Sequence, residues 1–182
     1  MKYSIVALFD KESNSQMEFM QKKLCQRYKL YKNVPMLHIT LEVIDEPDLE
    51  KLSKIMGDML KPYKKFKVET SGVVSFDPSY KSVNLKIEDK GYIIRLARQF
   101  NDTLKLHGFK VKTNVENLDL HVALANSNYP IKEWSNNEYI AASDTTKKQG
   151  FKKMSKVERI EIWKHINNKK DMVIKSFQLR DY

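Results

Sequence analysis

Two short stretches constrain this chain more than any others: LHITL at 37–41 and LHVAL at 120–124. Each places apolar side chains at alternate positions around a histidine, the period-two pattern of a strand with one buried face. In VPMLHITLEVI, at 34–44, Leu37, Ile39, Leu41 and Val43 form the apolar face, and His38, Thr40 and Glu42 form the other. In NLDLHVALAN, at 117–126, Leu120, Val122 and Leu124 oppose Asp119, His121, Ala123 and Ala125. The histidines at 38 and 121 are too far apart for a local motif. That separation suits one imidazole in each half of a folded body, facing across a cleft.

The intervening patterns fill in the halves. Tyr3–Phe9 reads as a strand, and Met17, Met20, Leu24, Tyr28 and Tyr31 recur at helical spacing as a core stripe. A second helix is expected after DEPDLE, with Pro47 at its first position, Leu49, Leu52, Ile55 and Met59 along one face, and Pro62 ending it. FKVETSGVVSF and KSVNLKIED predict a hairpin through DPSY, with Gly72 at a bulge or bend. Ile93, Leu96, Phe100 and Leu104 predict a helix over 90–107, closed by Gly108. A short helix is expected over 131–142 after the cap-type residues of SNYP, then a lysine-rich loop over 143–156. The strands VERIEIWKHI and MVIKSFQLRDY close the chain, joined by the turn NNKKD.

At 182 residues, 41% of them hydrophobic, the chain can bury one substantial core. The expected fold class is α+β: a single domain over 1–182 with two lobes, antiparallel-rich sheets flanked by helices, and a central cleft. Lysine and arginine outnumber aspartate and glutamate by 33 to 23, so the surface potential favours polyanions such as RNA or nucleotides. Cys25 is the sole cysteine, which excludes an intrachain disulfide and a cysteine-based zinc cluster and suits a reducing cytoplasm. YSIVALF is too short to span a membrane and is followed at once by DKE, so neither export nor membrane insertion is expected.

Two imidazoles opposed across a phosphodiester divide proton handling: one deprotonates the attacking hydroxyl or water, and the other protonates the leaving oxygen. Imidazole titrates near pH 6.5, so both forms are accessible at neutrality. The Thr40 hydroxyl, about 6.6 Å along the strand from His38, is placed to donate to a phosphoryl oxygen. Metal catalysis has little support, since there is no His-Glu-x-x-His helix and His38 and Glu42 lie about 13 Å apart on an extended strand.

LHITL and LHVAL resemble the duplicated His-x-Thr/Ser signature of the two-histidine phosphoesterases, the LigT-like or 2′-5′ RNA ligase-like proteins. The resemblance runs through YSIVALF, SGVVSF and the closing VERIEIWKHI and FQL strands. It implies a bilobal fold with pseudo-twofold symmetry and a reaction on cyclic phosphates or 2′-5′ phosphodiesters of nucleotides or RNA, without metal or cofactor. His38 and His121 would be the acid and base, and Thr40 would bind phosphate. The implied protein is a cytoplasmic monomer with an RNA or nucleotide substrate.

The second motif departs from the pattern, with Ala123 where the family carries a hydroxyl. A hydrogen bond to a charged group is worth about 1.5–3 kcal/mol, or roughly 10- to 150-fold if made only in the transition state. Each proton transfer contributes about 10²- to 10⁴-fold, so two retained histidines outweigh one lost hydroxyl. A binding module that holds RNA or nucleotide without turnover is the alternative.

The other candidates carry plainer readings beside the functional ones. Trp163 offers a face for a nucleobase or packs beneath a loop. Lys86 neutralises phosphate or is a solvated sheet-face lysine. Lys147, Lys148, Lys152, Lys153 and Lys156 form an electrostatic funnel or a solvated loop. His107, before Gly108, suits a helix C-terminus, and His165, on the face of Arg159, Glu161 and Trp163, reads as exposed.

Overall fold

The apolar N-terminal run forms β1 (Lys2–Phe9), which pairs antiparallel with β2 (Ile39–Asp45) on one side and β7 (Lys152–Lys164) on the other. The computed structural model describes residues 1–74, 81–88, 90–126 and 130–181. The strands β3 (Phe66–Val74), β4 (Val83–Ile87) and β6 (His121–Ala125) complete a ring of pairings, β1-β2-β6-β4-β3-β7 and back to β1. β5 (Lys110–Val111) adds to β2, and β8 (Val173–Gln178) adds to β7. The helices are α1 (Lys11–Tyr28), α2 (Leu49–Leu60), α3 (Tyr92–Leu106), α4 (Asn136–Gln149) and the single turn α5 (Lys169–Met172). The class is α+β with antiparallel pairing between all the strands, so the two halves share one continuous network.

Alternation along β1 separates two apolar regions. Ile5, Ala7 and Phe9 enter the main core with Ile39, Leu41, Phe100, Val122 and Leu124. Val6 and Leu8 point the other way and meet Trp163, with Met36, Met172 and Val173 packed against them.

β2 and β6 meet at a single antiparallel pair, Ile39 opposite Val122, each wholly buried. Each strand then carries an extra residue at the second leucine of its motif. Against β1, Glu42 pairs with Ile5 and Thr40 with Val6, leaving Leu41 as the insertion; against β4, Ala125 pairs with Val83 and Ala123 with Asn84, leaving Leu124. A bulge of this kind turns the residues beyond it to the opposite face.

The expected face assignments therefore hold up to the bulges and reverse after them. Glu42 faces the core rather than sharing the side of His38 and Thr40, and it is fully buried, as is Ala125. Glu42 Oε1 accepts backbone N–H groups of Val43 at 2.9 Å, Lys112 at 3.2 Å and Thr113 at 2.8 Å, while Oε2 accepts from Asn101 Nδ2 at 2.9 Å. This carboxylate ties β2 to α3 and to the segment leading into the second motif. Four donors are what make its burial tolerable.

Several boundaries move for identifiable reasons. The strand expected from 34 starts at Ile39, because the preceding carbonyls serve side chains: Lys169 Nζ donates to Val34 O and Gln21 Nε2 to Pro35 O. The strand expected from 117 begins at His121. Tyr31 lies beyond α1, which ends at Lys29 in the left-handed region. Pro47 precedes α2, whose N-cap is Asp48. The helix expected over 131–142 is α4, started by a capping box between Ser135 and Glu138; it runs through the first part of the expected lysine loop to Gln149, and the loop's remainder from Lys152 belongs to β7. NNKKD forms α5, capped by Asn168, rather than a simple turn. Gly72 sits at a register shift in β3 with φ of 61°, as a bulge there requires. The DPSY turn and residues 127–129 lie outside the described residues.

Removing the Glu42 carboxylate takes the acceptor from the Val43 and Thr113 amides, and one of two acceptors from Lys112 N and Asn101 Nδ2. Glu42→Ala is expected to destabilise the fold by about 3 kcal/mol or more, lowering the melting temperature by roughly 6–12 °C for a chain of this size. Thermal unfolding followed by circular dichroism checks this; an unchanged midpoint contradicts it.

Candidate active site

The Ile39–Val122 pair sets the geometry of the site. Because those two side chains face the core, His38, immediately before β2, and Thr40 on it share the opposite face with His121 and Ala123 on β6. Antiparallel register then puts Thr40 across from His121 and Ala123 across from His38. The histidines are diagonal neighbours on adjacent strands, a relation that spans about 7–8 Å between backbones. All four residues are half-buried. Lys86 on β4 pairs with His121, and its side chain is exposed on that same face.

Both imidazoles are held in the same way. His38 Nδ1 donates to the Met36 carbonyl at 2.8 Å, and His121 Nδ1 to the Asp119 carbonyl at 2.7 Å, each two residues back. A carbonyl only accepts, so Nδ1 carries the proton and Nε2 bears the lone pair of the neutral ring.

Their surroundings differ. His38 lies against Trp163, with ring centroids 4.5 Å apart and planes inclined by 57°, at the edge of the Val6–Leu8–Trp163 cluster. Burial holds the His38 pKa below the usual 6.5, outweighing the Met36 carbonyl; His121 and His165 add smaller repulsions. His121 stands beside Lys86 on the open part of the sheet.

A cavity of about 690 Å³ opens beside His38 and Thr40, walled by Met36, Trp163, Tyr31, Asn126, Lys164, His165 and Lys169 among others. No acidic residue is among those that line it, although the chain has 23 aspartates and glutamates. Trp163 is only 6% exposed, and its Nε1 donates to Glu161 Oε2 at 2.8 Å. His165, exposed as its strand-end position suggests, meets the Ser4 hydroxyl through Nε2.

The structure adds residues that the periodicity concealed. Tyr31, counted in a helical core stripe, packs against the main core and also lines the cavity; its hydroxyl accepts from Asn126 N at 2.9 Å and donates to Asn126 O. Burial pushes that phenol up to about 12. The expected lysine funnel is dispersed: Lys147 and Lys148 end α4, and Lys152, Lys153 and Lys156 lie on β7. His107 caps α3, its Nδ1 donating to Thr103 O at 2.8 Å, away from the cavity lining. Cys25 is buried and pushed up to about 12, which makes it no nucleophile near neutrality. Among the described residues no three histidine, cysteine or carboxylate side chains converge to hold a metal ion, and no helix is long and apolar enough to cross a membrane.

A family model described as the 2′-5′ RNA ligase superfamily matches residues 13–169. Among solved structures, the chain is similar to the TT0787 protein of Thermus thermophilus, at 17% identity over 100% of this chain and 99% of that one, with a TM-score of 0.64. It is also similar to LigT of E. coli in complex with ATP, at 12% identity over 99% and 98% of the two chains and a TM-score of 0.60. LigT with 3′-AMP gives 14% identity, 98% and 97% coverage, and a TM-score of 0.59. At these identities the likeness is one of fold. A search of curated proteins finds no match.

The depressed His38 pKa carries a sign for stability. Below pH 6.5 the unfolded chain takes up the proton first, so this contribution is complete above 6.5 and is lost as pH falls towards the lower folded-state value. His165, lowered chiefly by burial, acts in the same direction. His38→Asn is expected to flatten the decline in melting temperature between pH 7 and pH 5; an equally steep decline in the variant contradicts this.

Proposed function

Because the chain belongs to the 2′-5′ RNA ligase superfamily, we propose that it is a metal-independent phosphodiesterase acting on a cyclic phosphate or 2′-5′ linkage of RNA or a nucleotide. The observation that carries this reading is the Ile39–Val122 pairing, which sets His38, Thr40 and His121 on one face of the sheet, with His38 and Thr40 lining an acid-free cavity and His121 beside it, outside the lining. That cavity lies within the size range of small-ligand sites and is large enough for a nucleoside phosphate. The nucleotides in the LigT complexes, ATP and 3′-AMP, support the same substrate class.

In this mechanism His38, kept neutral by its burial, takes the proton of the attacking water or hydroxyl at Nε2 as the new oxygen–phosphorus bond forms. His121, on the open side, acts as the imidazolium: having first taken a proton from solvent at Nε2, it delivers that proton to the leaving oxygen as the opposite bond breaks. Solvent then returns the pair to its starting protonation. The Thr40 hydroxyl donates to a non-bridging oxygen, and Lys86 offsets the charge that accumulates there. Trp163 contributes through His38 rather than as an open stacking face. The protein works as a cytoplasmic monomer.

One observation favours a second reading. Ala123 sits across from His38, where a hydroxyl would complete the phosphate cradle, and a weakened cradle suits a module that binds nucleotide and leaves it intact.

Turnover of a 2′,3′-cyclic nucleotide and a 2′-5′ dinucleotide in the presence of chelator separates the two. Turnover is expected, and His38→Ala and His121→Ala should each reduce it by at least about 100-fold. Binding without turnover, or activity surviving both substitutions, contradicts the enzyme. Ala123→Thr is expected to raise the rate by roughly 10- to 150-fold if the missing hydroxyl acts in the transition state; an unchanged rate shows that its role is filled elsewhere.

A further inference from the structure

The two histidines are equivalent in sequence and in their Nδ1 bonds, yet the structure surrounds them unequally. His121 has Lys86 as its neighbour on β4. His38 has a tryptophan against its ring, and that tryptophan is itself fastened. Trp163 Nε1 donates to Glu161 Oε2 at 2.8 Å, and Arg159 Nε donates to Glu161 Oε1 at 2.8 Å. Arg159 Nη1 also reaches Glu158 Oε1 at 2.8 Å. Arg159, Glu161 and Trp163 alternate along β7, so one strand face carries the chain of contacts from a half-buried guanidinium to the imidazole.

We infer that Trp163, clamped by Glu161 and Arg159, is a positioning residue for His38: it holds the plane of the imidazole so that Nε2 addresses the phosphate. This deepens the proposed phosphodiesterase reading and rests on it. An imidazole tied only through Nδ1 keeps freedom to tilt about that bond. Contact with the indole removes it, and the Met36 carbonyl fixes the rotation that remains. Glu161 is 5% exposed and would be costly there unpaired; its two donors make it a rigid anchor for the indole. With 6% of its surface exposed and its only polar hydrogen committed, Trp163 presents little to a nucleobase. Burial by the same indole also favours neutral His38, in agreement with its lowered pKa.

The test combines kinetics with ¹⁵N NMR of the histidine rings. Trp163→Leu fills much of the space without a ring face and is expected to lower kcat by about 30- to 100-fold, the scale of a small misplacement of a reacting group, with KM within about threefold. Trp163→Phe should recover most of that loss. In a His38→Ala background, Trp163→Leu should have no further effect. By NMR, Trp163→Leu should raise the His38 pKa towards 6.5 and mix its tautomers, while His121 stays as in the parent protein. If that variant does not fold, Glu161→Gln is read by the same titration and should shift His38 in the same direction by less.

A raised KM with kcat unchanged, or a His38 titration indifferent to both substitutions, overturns the assignment. If no phosphodiester is turned over by the parent protein, the functional reading fails by itself, and the NMR titration still decides whether Trp163 controls the His38 ring.

Discussion

The antiparallel pair of Ile39 and Val122 is the contact on which the geometry of the candidate site depends. It is one residue pair long, but both side chains are fully buried, so β2 and β6 cannot slide by one position without turning their apolar faces to solvent. That register brings together histidines separated by 83 positions in sequence. The bulges at Leu41 and Leu124 complete the device, because each strand faces the site for a few residues and then returns its next side chains to the core. Glu42 shows how firmly the turn is held, with three backbone amides and one side-chain amide around a single buried carboxylate.

Within this repeated frame the two halves carry different walls. The register of β1 and β2, continued by one residue, sets Leu8 beside His38, where β4 sets Lys86 beside His121. One imidazole is therefore backed by an apolar cluster and an indole, and the other by a cation on an open sheet. Burial keeps the first neutral at pH 7, which suits a proton acceptor. Desolvation is what distinguishes the two rings, while the backbone bonds to both are the same.

Much of this was legible in the sequence because the motif strands are short and strongly patterned. Ile39, Thr40, Val122 and Ala123 lie on the faces that alternation assigns them, and the family resemblance agrees with the fold and with the family model matched over residues 13–169. What lay beyond reach was decided by contacts between distant segments. Alternation reads unbroken from Thr40 to Val43, and only the adjacent Ile44, itself fully buried, marks the bulge, so Glu42 read as a polar-face residue although its partners come from residues 101–113. Trp163 carries no signal of the histidine it packs against, 125 positions away. The bounds of α4 were the exception: the Ser135–Glu138 capping box stood in the sequence, but Pro130 drew the start too early and the lysine-rich segment drew the end too early.

The proposed function requires that both histidines attend one phosphate. Titrating ¹⁵N-labelled protein with a nucleoside 3′-monophosphate reads each Nε2 separately. The signals of His38 and His121 are expected to shift together, with one midpoint and one equivalent of ligand. Movement of only one ring, or saturation of the two at different ligand concentrations, would contradict a shared site.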